Sequence, residues 1–327
     1  MRRRSFLIGL GGAAALWPLA ARGQQAVMPV IGFLGAPSAA PYARYVDAIH
    51  QGLKQAGFVE GQNVRTEYRW AEGHYDRLPA LAADLVSRHV SVIVPIGGTP
   101  AVAAAKTATS TTPIVFNIGS DPVKLGLVDS LSRPGGNLTG VAMLALELEA
   151  KRLELLRHVV PKSALIAVLV NPTNAQAEMQ AREVQEAAGA VGQEILLLRA
   201  STERELETAF AALLRAQAGA LLVSADAFFT SQPVLFVVLT ARHAIPAIYP
   251  WRSYVDAGGL MSYGTSLVDA YRQTGVYTGR VLKGEKPADL PISQAIKFEF
   301  VINLVTARAL RLTIPLTLRA FATEVIE

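Results

Sequence analysis

The 327-residue sequence has no cysteine. That excludes disulfides, zinc thiolate sites and a cysteine nucleophile, and it excludes lipid attachment at a processed N-terminal cysteine. Charged residues are sparse, at 17%, against 51% hydrophobic residues; the composition is that of a packed globular chain without an acidic or basic tail. Long apolar runs are also missing. Val234 to Leu239, flanked by Pro233 and Arg242, is too short to cross a bilayer and reads as a buried helix face. The five histidines, His50, His74, His89, His158 and His243, avoid the predicted strand tips. There is no Gly-x-Ser-x-Gly elbow, no His-Glu-x-x-His and no phosphate loop ending in Gly-Lys. Neither an enzyme nor a cofactor or metal site is expected.

The net charge is +5, but Arg2, Arg3, Arg4 and Arg22 all precede Gln24 and no acid does, so the remainder carries only +1. The basic balance therefore gives no argument for nucleic-acid binding. Residues 1–23 read as a signal peptide: a charged Arg2–Arg4 segment, an apolar stretch from Phe6 to Leu16, and Ala21-Arg22-Gly23 around a cleavage point. Arg3-Arg4-Ser5-Phe6-Leu7 resembles a twin-arginine signal, with the general secretory route as the alternative. Export would deliver a soluble, unlipidated protein to the periplasm. Gly9-Leu10-Gly11-Gly12-Ala13-Ala14 imitates a dinucleotide fingerprint, but no strand precedes it.

The rest alternates short apolar runs with helical segments, the mark of α/β architecture with parallel sheets. Strands are expected over Val30–Leu34, Asn63–Trp70, Val92–Pro95, Pro113–Asn117 and Leu138–Val141, with helices over Tyr42–Ala56, Leu78–Arg88 and Pro100–Ala108. The series then restarts, with strands over Leu165–Val170, Glu194–Arg199, Ala220–Ser224, Ile245–Tyr249 and Gly259–Ser262. Ile31, Val64, Ile93 and Ile114 stand at offsets matching Ala167, Ile195, Leu221 and Ala247. The repeat is one of architecture and predicts two doubly wound Rossmann-like lobes in tandem. A helix over Leu267–Leu282 and a strand over Phe298–Ile302 follow, which implies several crossings and so a multi-strand hinge. Expected lobes are 27–141 with 263–290, and 142–262 with 291–327.

Several segments together carry a resemblance: Gly32-Phe33-Leu34, Gly57-Phe58-Val59-Glu60-Gly61-Gln62-Asn63-Val64, Arg133-Pro134-Gly135-Gly136-Asn137-Leu138-Thr139-Gly140, Asn171-Pro172, Gly258-Gly259-Leu260-Met261-Ser262-Tyr263, Lys297-Phe298-Glu299 with Val301-Ile302-Asn303, and Glu324-Val325-Ile326. The mature chain resembles the ABC-transporter substrate-binding proteins that include tryptophan-binding members. The resemblance implies a type I periplasmic-binding-protein fold, a monomer that takes a small amino-acid-like solute between its lobes and delivers it to an inner-membrane ABC permease. A sensor that presents the solute to a signalling receptor is the alternative. A repressor built on the same core would need a DNA-binding head, and only the leader precedes the first strand.

Ligands of open α/β sheets bind beyond the carboxyl ends of the strands. Here those tips carry Gly35 and Ser38, then Gly97, Gly98 and Thr99, then Ser120 and Asp121, and in the second half Asn171, Asp226 and Tyr249. Glycines admit close backbone approach, and helix starts after Gly98 and Asn171 offer N–H groups to a carboxylate. Thr99 and Ser120 add hydroxyls, Asp121 and Asp226 would receive an ammonium, and Tyr42, Tyr249 and Tyr263 would line an apolar slot. Thr99, Asn171 and Asp121 have capping as an equal alternative, and Tyr42 has the core. Asp226 has no evident cap role and is placed outside the core, so its loss is expected to spare the fold.

Overall fold

The computed structural model describes residues 28–143 and 148–327; the signal-peptide reading of 1–23 lies outside the described residues. Two sheets form, and their central strands are nearly unbroken apolar runs suited to burial on both faces. The first holds β1 (Val30–Gly35), β2 (Arg65–Trp70), β3 (Val92–Ile96), β4 (Ile114–Ile118) and β5 (Leu138–Ala142), all parallel, in the order β2-β1-β3-β4-β5. The helices α1 (Ala39–Gln55), α2 (Leu78–Ser87) and α3 (Thr99–Ala108) connect them.

The second lobe opens with α4 (Glu149–Val159), a helix that the strand pattern does not announce. It continues through β6 (Leu165–Val170), α5 (Ala177–Ala190), β7 (Glu194–Arg199), α6 (Glu203–Arg215), β8 (Ala220–Val223), α7 (Ala227–Thr230), α8 (Pro233–Arg242), β9 (Ala247–Tyr249), α9 (Arg252–Asp256) and β10 (Met261–Thr265). Its parallel strands repeat the first order, as β7-β6-β8-β9-β10. The helix α10 (Leu267–Leu282) and strand β11 (Ser293–Gln294) then return to the first lobe. Strand β12 (Phe298–Asn303), helices α11 (Leu304–Ala309) and α12 (Leu316–Phe321), and strand β13 (Glu324–Ile326) end the second.

Sheet membership corrects two expected boundaries. Tyr263 stays in the second sheet, because β10 pairs antiparallel with β12 from Met261↔Ile302 to Thr265↔Phe298. Ser293 and Gln294 stay in the first, in register with Val141 and Ala142. The chain therefore crosses three times: between Ala142 and Glu149, at Ser266, and over 295–297.

Helix α10 belongs to the first lobe because it packs on α1. The two backbones meet at glycines. A Cβ on Gly52 would collide with the Arg272 carbonyl, and one on Gly275 with the Ile49 carbonyl. Three buried clusters form the cores. One lies under α2 and α3 (Leu34, Leu85, Val102, Phe116), and one under α4 and α5 (Leu156, Val168, Val184, Ile302). The third joins the inner faces of both sheets (Phe33, Tyr45, Val223, Phe236, Tyr249, Tyr271). Among the described residues no helix is long and apolar enough to cross a membrane.

Candidate functional site

In the strand order 2-1-3-4-5 the switch point lies between the first and third strands, and a crevice opens outside their carboxyl ends. Both lobes have this point, and they face each other with it. Tyr42 of α1 donates from its hydroxyl to the Ala227 carbonyl, at 3.4 Å. Tyr75, after β2, donates to Asp226 Oδ2 at 3.4 Å. Between the lobes lies a cavity of about 60 Å³.

The first-lobe wall begins at the tip of β3. Gly97 and Gly98 have φ of 91° and 84°, a left-handed conformation open to glycine at no cost. Gly97 also needs the space, since a Cβ there would stand 2.5 Å from Pro37 Cδ and 3.1 Å from Ala36 Cβ. These residues turn the chain into α3, whose N-terminus, with Thr99 and Pro100, lines the cavity. No side chain caps α3, so its first-turn N–H groups and the positive end of its dipole stay available to an anion. Beside it stands Asn117, level with Ile96 in the sheet. It is 1% exposed and lines the cavity, yet neither its Nδ2 nor its Oδ1 has a hydrogen-bond partner. A buried amide left this way costs about 1–3 kcal/mol.

The second-lobe wall is built around Asp226. Its Oδ1 accepts from Asn171 Nδ2 at 2.9 Å, Phe228 N at 2.8 Å and Phe229 N at 3.3 Å. Its Oδ2 accepts from Asn174 Nδ2 at 3.0 Å and from Tyr75 across the cleft. Burial pushes the carboxyl upward, and the two asparagines and the backbone N–H groups pull it back. Asp226 is thus the cap of α7, which the sequence reading denied it, and it lies within the buried set. Next to it Gln176 is buried, lines the cavity and has an unpartnered Nε2.

The remaining wall is aromatic, from Tyr42, Trp251 and Tyr271. Their polar atoms are spent on the protein. Trp251 Nε1 donates to Thr230 Oγ1 at 3.0 Å, and the Tyr271 hydroxyl accepts the Gly97 N–H at 3.2 Å. Burial raises the Tyr42 and Tyr271 hydroxyls far above their ordinary pKa, so both stay neutral. Flat rings remain to face a ligand.

Five sequence-nominated residues, Tyr42, Gly97, Gly98, Thr99 and Asp226, line this cavity. Seven do not. Gly35 is a glycine because the Trp70 ring lies where its Cβ would be. Ser38 precedes α1 without a side-chain cap bond. Ser120 is buried with its hydroxyl unpartnered, outside the cavity lining. Asp121 accepts from Val123 N at 2.8 Å and Lys124 N at 3.3 Å, so its carboxylate is a turn cap. Asn171 holds Asp226 and accepts from Thr173, and helix α5 starts only at Ala177. Tyr249 is fully buried, stacked on Tyr254 at 4.5 Å and bonded to Thr240. Tyr263 stacks on Phe298 at 6.4 Å, on the face of β10 turned to α4.

Asn117, Gln176, Trp251 and Tyr271 escaped the sequence reading. Asn117 did leave a signal, as a polar amide inside the apolar strand Ile114-Val115-Phe116-Asn117-Ile118. Tyr271 gave none, since it reaches the cleft from a helix that crosses back between lobes.

The sequence profile of the ABC transporter substrate binding protein family matches residues 30–326. The chain belongs to that family. A tyrosine-binding protein of Clostridioides difficile is 28% identical over 261 residues, covering 80% of this chain and 74% of that one. Among solved structures, a conserved domain protein from Vibrio cholerae has 27% identity and a TM-score of 0.83. A Streptococcus pneumoniae ABC domain in complex with L-Trp has 26% and 0.81. Each covers 91% of this chain and 99% of its own. The fold is that of the type I periplasmic binding proteins, and a substrate-binding protein is a capture device, not an enzyme.

Proposed function

We propose that this substrate-binding protein captures an aromatic or apolar α-amino acid in the interlobe cleft and hands it to an ABC permease. The observation that carries the reading is Asn117, a fully buried amide whose donor and acceptor both lack partners at the cavity wall. A zwitterionic head group satisfies both halves of such an amide, its carboxylate accepting and its ammonium donating. The uncapped start of α3 and the Thr99 hydroxyl complete a carboxylate site that needs no buried cation. The ammonium would turn toward Asp226 Oδ2, taking the place of the Tyr75 hydroxyl. Tyr42, Trp251 and Tyr271 supply walls for a flat side chain. The tyrosine-binding relative and the L-Trp complex support the same solute class.

The cavity holds only about four or five waters' worth of space, less than an aromatic amino acid fills. Capture therefore requires the lobes to part. The two interlobe tyrosine hydrogen bonds, both 3.4 Å long, are weak enough to yield.

Export to the periplasm as a soluble monomer completes the reading. Mass spectrometry of periplasmic protein should find an N-terminus near Gln24, and Lys at both Arg3 and Arg4 should block export if the twin-arginine route is used. A thermal-shift screen of amino acids, aromatic acids and sugars tests the solute class, because a ligand that binds only the folded state raises the melting temperature. Aromatic amino acids should give the largest shifts. A sugar giving the largest shift, with no response to any amino acid, would overturn the proposal.

A further inference from the structure

We infer that Glu149 and Arg152 are positioning residues for the cleft, tying the tip of β8 to the hinge strand β10; this rests on the reading that the cleft captures a solute. Both side chains are 0% exposed, and the guanidinium stands 2.9 Å from the carboxylate. The other buried side chains of α4 nearby are Leu153, Leu155, Leu156 and Val159. Withdrawing two charges from water is costly, and well-packed apolar residues serve stability as well or better. Stability alone therefore gives no reason for an ion pair at this place. Its contacts do.

Arg152 Nε donates to the Tyr263 carbonyl at 2.8 Å. Tyr263 lies on β10, just before the chain crosses at Ser266 into α10 of the other lobe. Ser224 and Ala225, at the tip of β8, neighbour the Glu149 carboxylate, and neither completes a hydrogen bond to it. The next residue is Asp226, on which Asn171, Asn174, Tyr75 and the start of α7 all converge. One ionic link thus joins the strand that carries the hinge to the turn that carries the second-lobe wall. A rigid, bidirectional donor such as arginine suits that bridging role better than a point charge. Lobe movement transmitted along β10 would then reach the Asp226 turn as a unit.

The test compares the full-chain parent with Glu149→Gln, Arg152→Met, Arg152→Lys and the apolar double variant Glu149→Leu/Arg152→Met. Amide hydrogen exchange is read on the ligand-free proteins over 223–229 and 261–266, beside calorimetric affinity for L-tyrosine and L-tryptophan. Each single Gln or Met variant, which strands one charge, should melt well below the parent. The double variant should melt close to the parent, yet exchange about tenfold faster in both segments and bind about tenfold more weakly. Arg152→Lys keeps the charge and loses the Nε bond to Tyr263, so it should remain folded with faster exchange over 261–266 and weaker binding. Parent-like exchange and affinity in either the double or the Lys variant would overturn the inference. Should the parent bind no aromatic amino acid, the solute assignment fails, and the exchange measurements still decide the positioning claim.

Discussion

Asp226→Ala separates a sequence-level expectation from a structural one. As a ligand contact outside the core, Asp226 should be removable without harm to the fold. The structure makes it the acceptor for two side-chain amides, two backbone N–H groups and a tyrosine hydroxyl. Loss of a helix cap costs about 1 kcal/mol. Asn171 and Asn174 would each keep a buried amide without its acceptor, at about 1–3 kcal/mol apiece. Release of the desolvated carboxylate offsets part of this, leaving roughly 3 kcal/mol. For a chain of this size each kcal/mol moves the melting temperature by about 2 °C, so a fall of about 6 °C is expected. Urea denaturation of ligand-free protein measures the same loss independently of binding. Asp226→Asn is the control. It retains an oxygen for the cap but turns an N–H toward Asn174 and Tyr75, so its loss should be about half as large. An Asp226→Ala protein within about 0.5 kcal/mol of the parent, the scatter expected of an ordinary surface change, would refute the hub role.

Asn117→Leu should move stability and binding in opposite directions. Removing an unpaired buried amide stabilises the ligand-free protein by about 1 kcal/mol, while affinity for the best aromatic amino acid falls at least about tenfold; equal affinity would remove Asn117 from the site. Thr99→Val should weaken binding less, because the α3 N–H groups remain. Gly275→Ala drives a methyl into the Ile49 carbonyl, and overpacking of this kind costs about 1–3 kcal/mol or more, which thermal unfolding would read directly. Burial raises the hydroxyls of Tyr42, Tyr45, Tyr249, Tyr254 and Tyr271. Their contribution to stability is full below the unfolded tyrosine pKa of about 10 and is lost as pH rises beyond it. Ultraviolet titration should show them ionising together with unfolding, and early titration in the folded state would contradict their burial.

The two-lobed fold was legible because it is written in apolar runs. The repeat that aligns Ile31 with Ala167 and Ile93 with Leu221 corresponds to two sheets whose first five strands run in the same order. Helix α10 was placed residue for residue, since its apolar face and flanking polar residues are local signals. Helix α4 was missed because its apolar periodicity is mixed with Glu149 and Arg152, whose burial only the tertiary structure explains.

The site was legible only as a region. Strand tips are a topological property, so Gly97, Gly98 and Thr99 could be found from order alone. Tyr249 and Tyr263 could not be excluded, because a shift of one residue along a strand exchanges cleft for core. The cap role of Asp226 is invisible in the sequence because it depends on a four-residue helix too short to leave a pattern.

The most direct test of the account is calorimetric titration of L-tyrosine and L-tryptophan into the folded, ligand-stripped protein. Saturable binding of one solute molecule per chain is expected for at least one of the two, abolished or strongly weakened by Asn117→Leu. Saturable binding that Asn117→Leu leaves unchanged, or no heat from either amino acid with a protein shown to be folded, would contradict it.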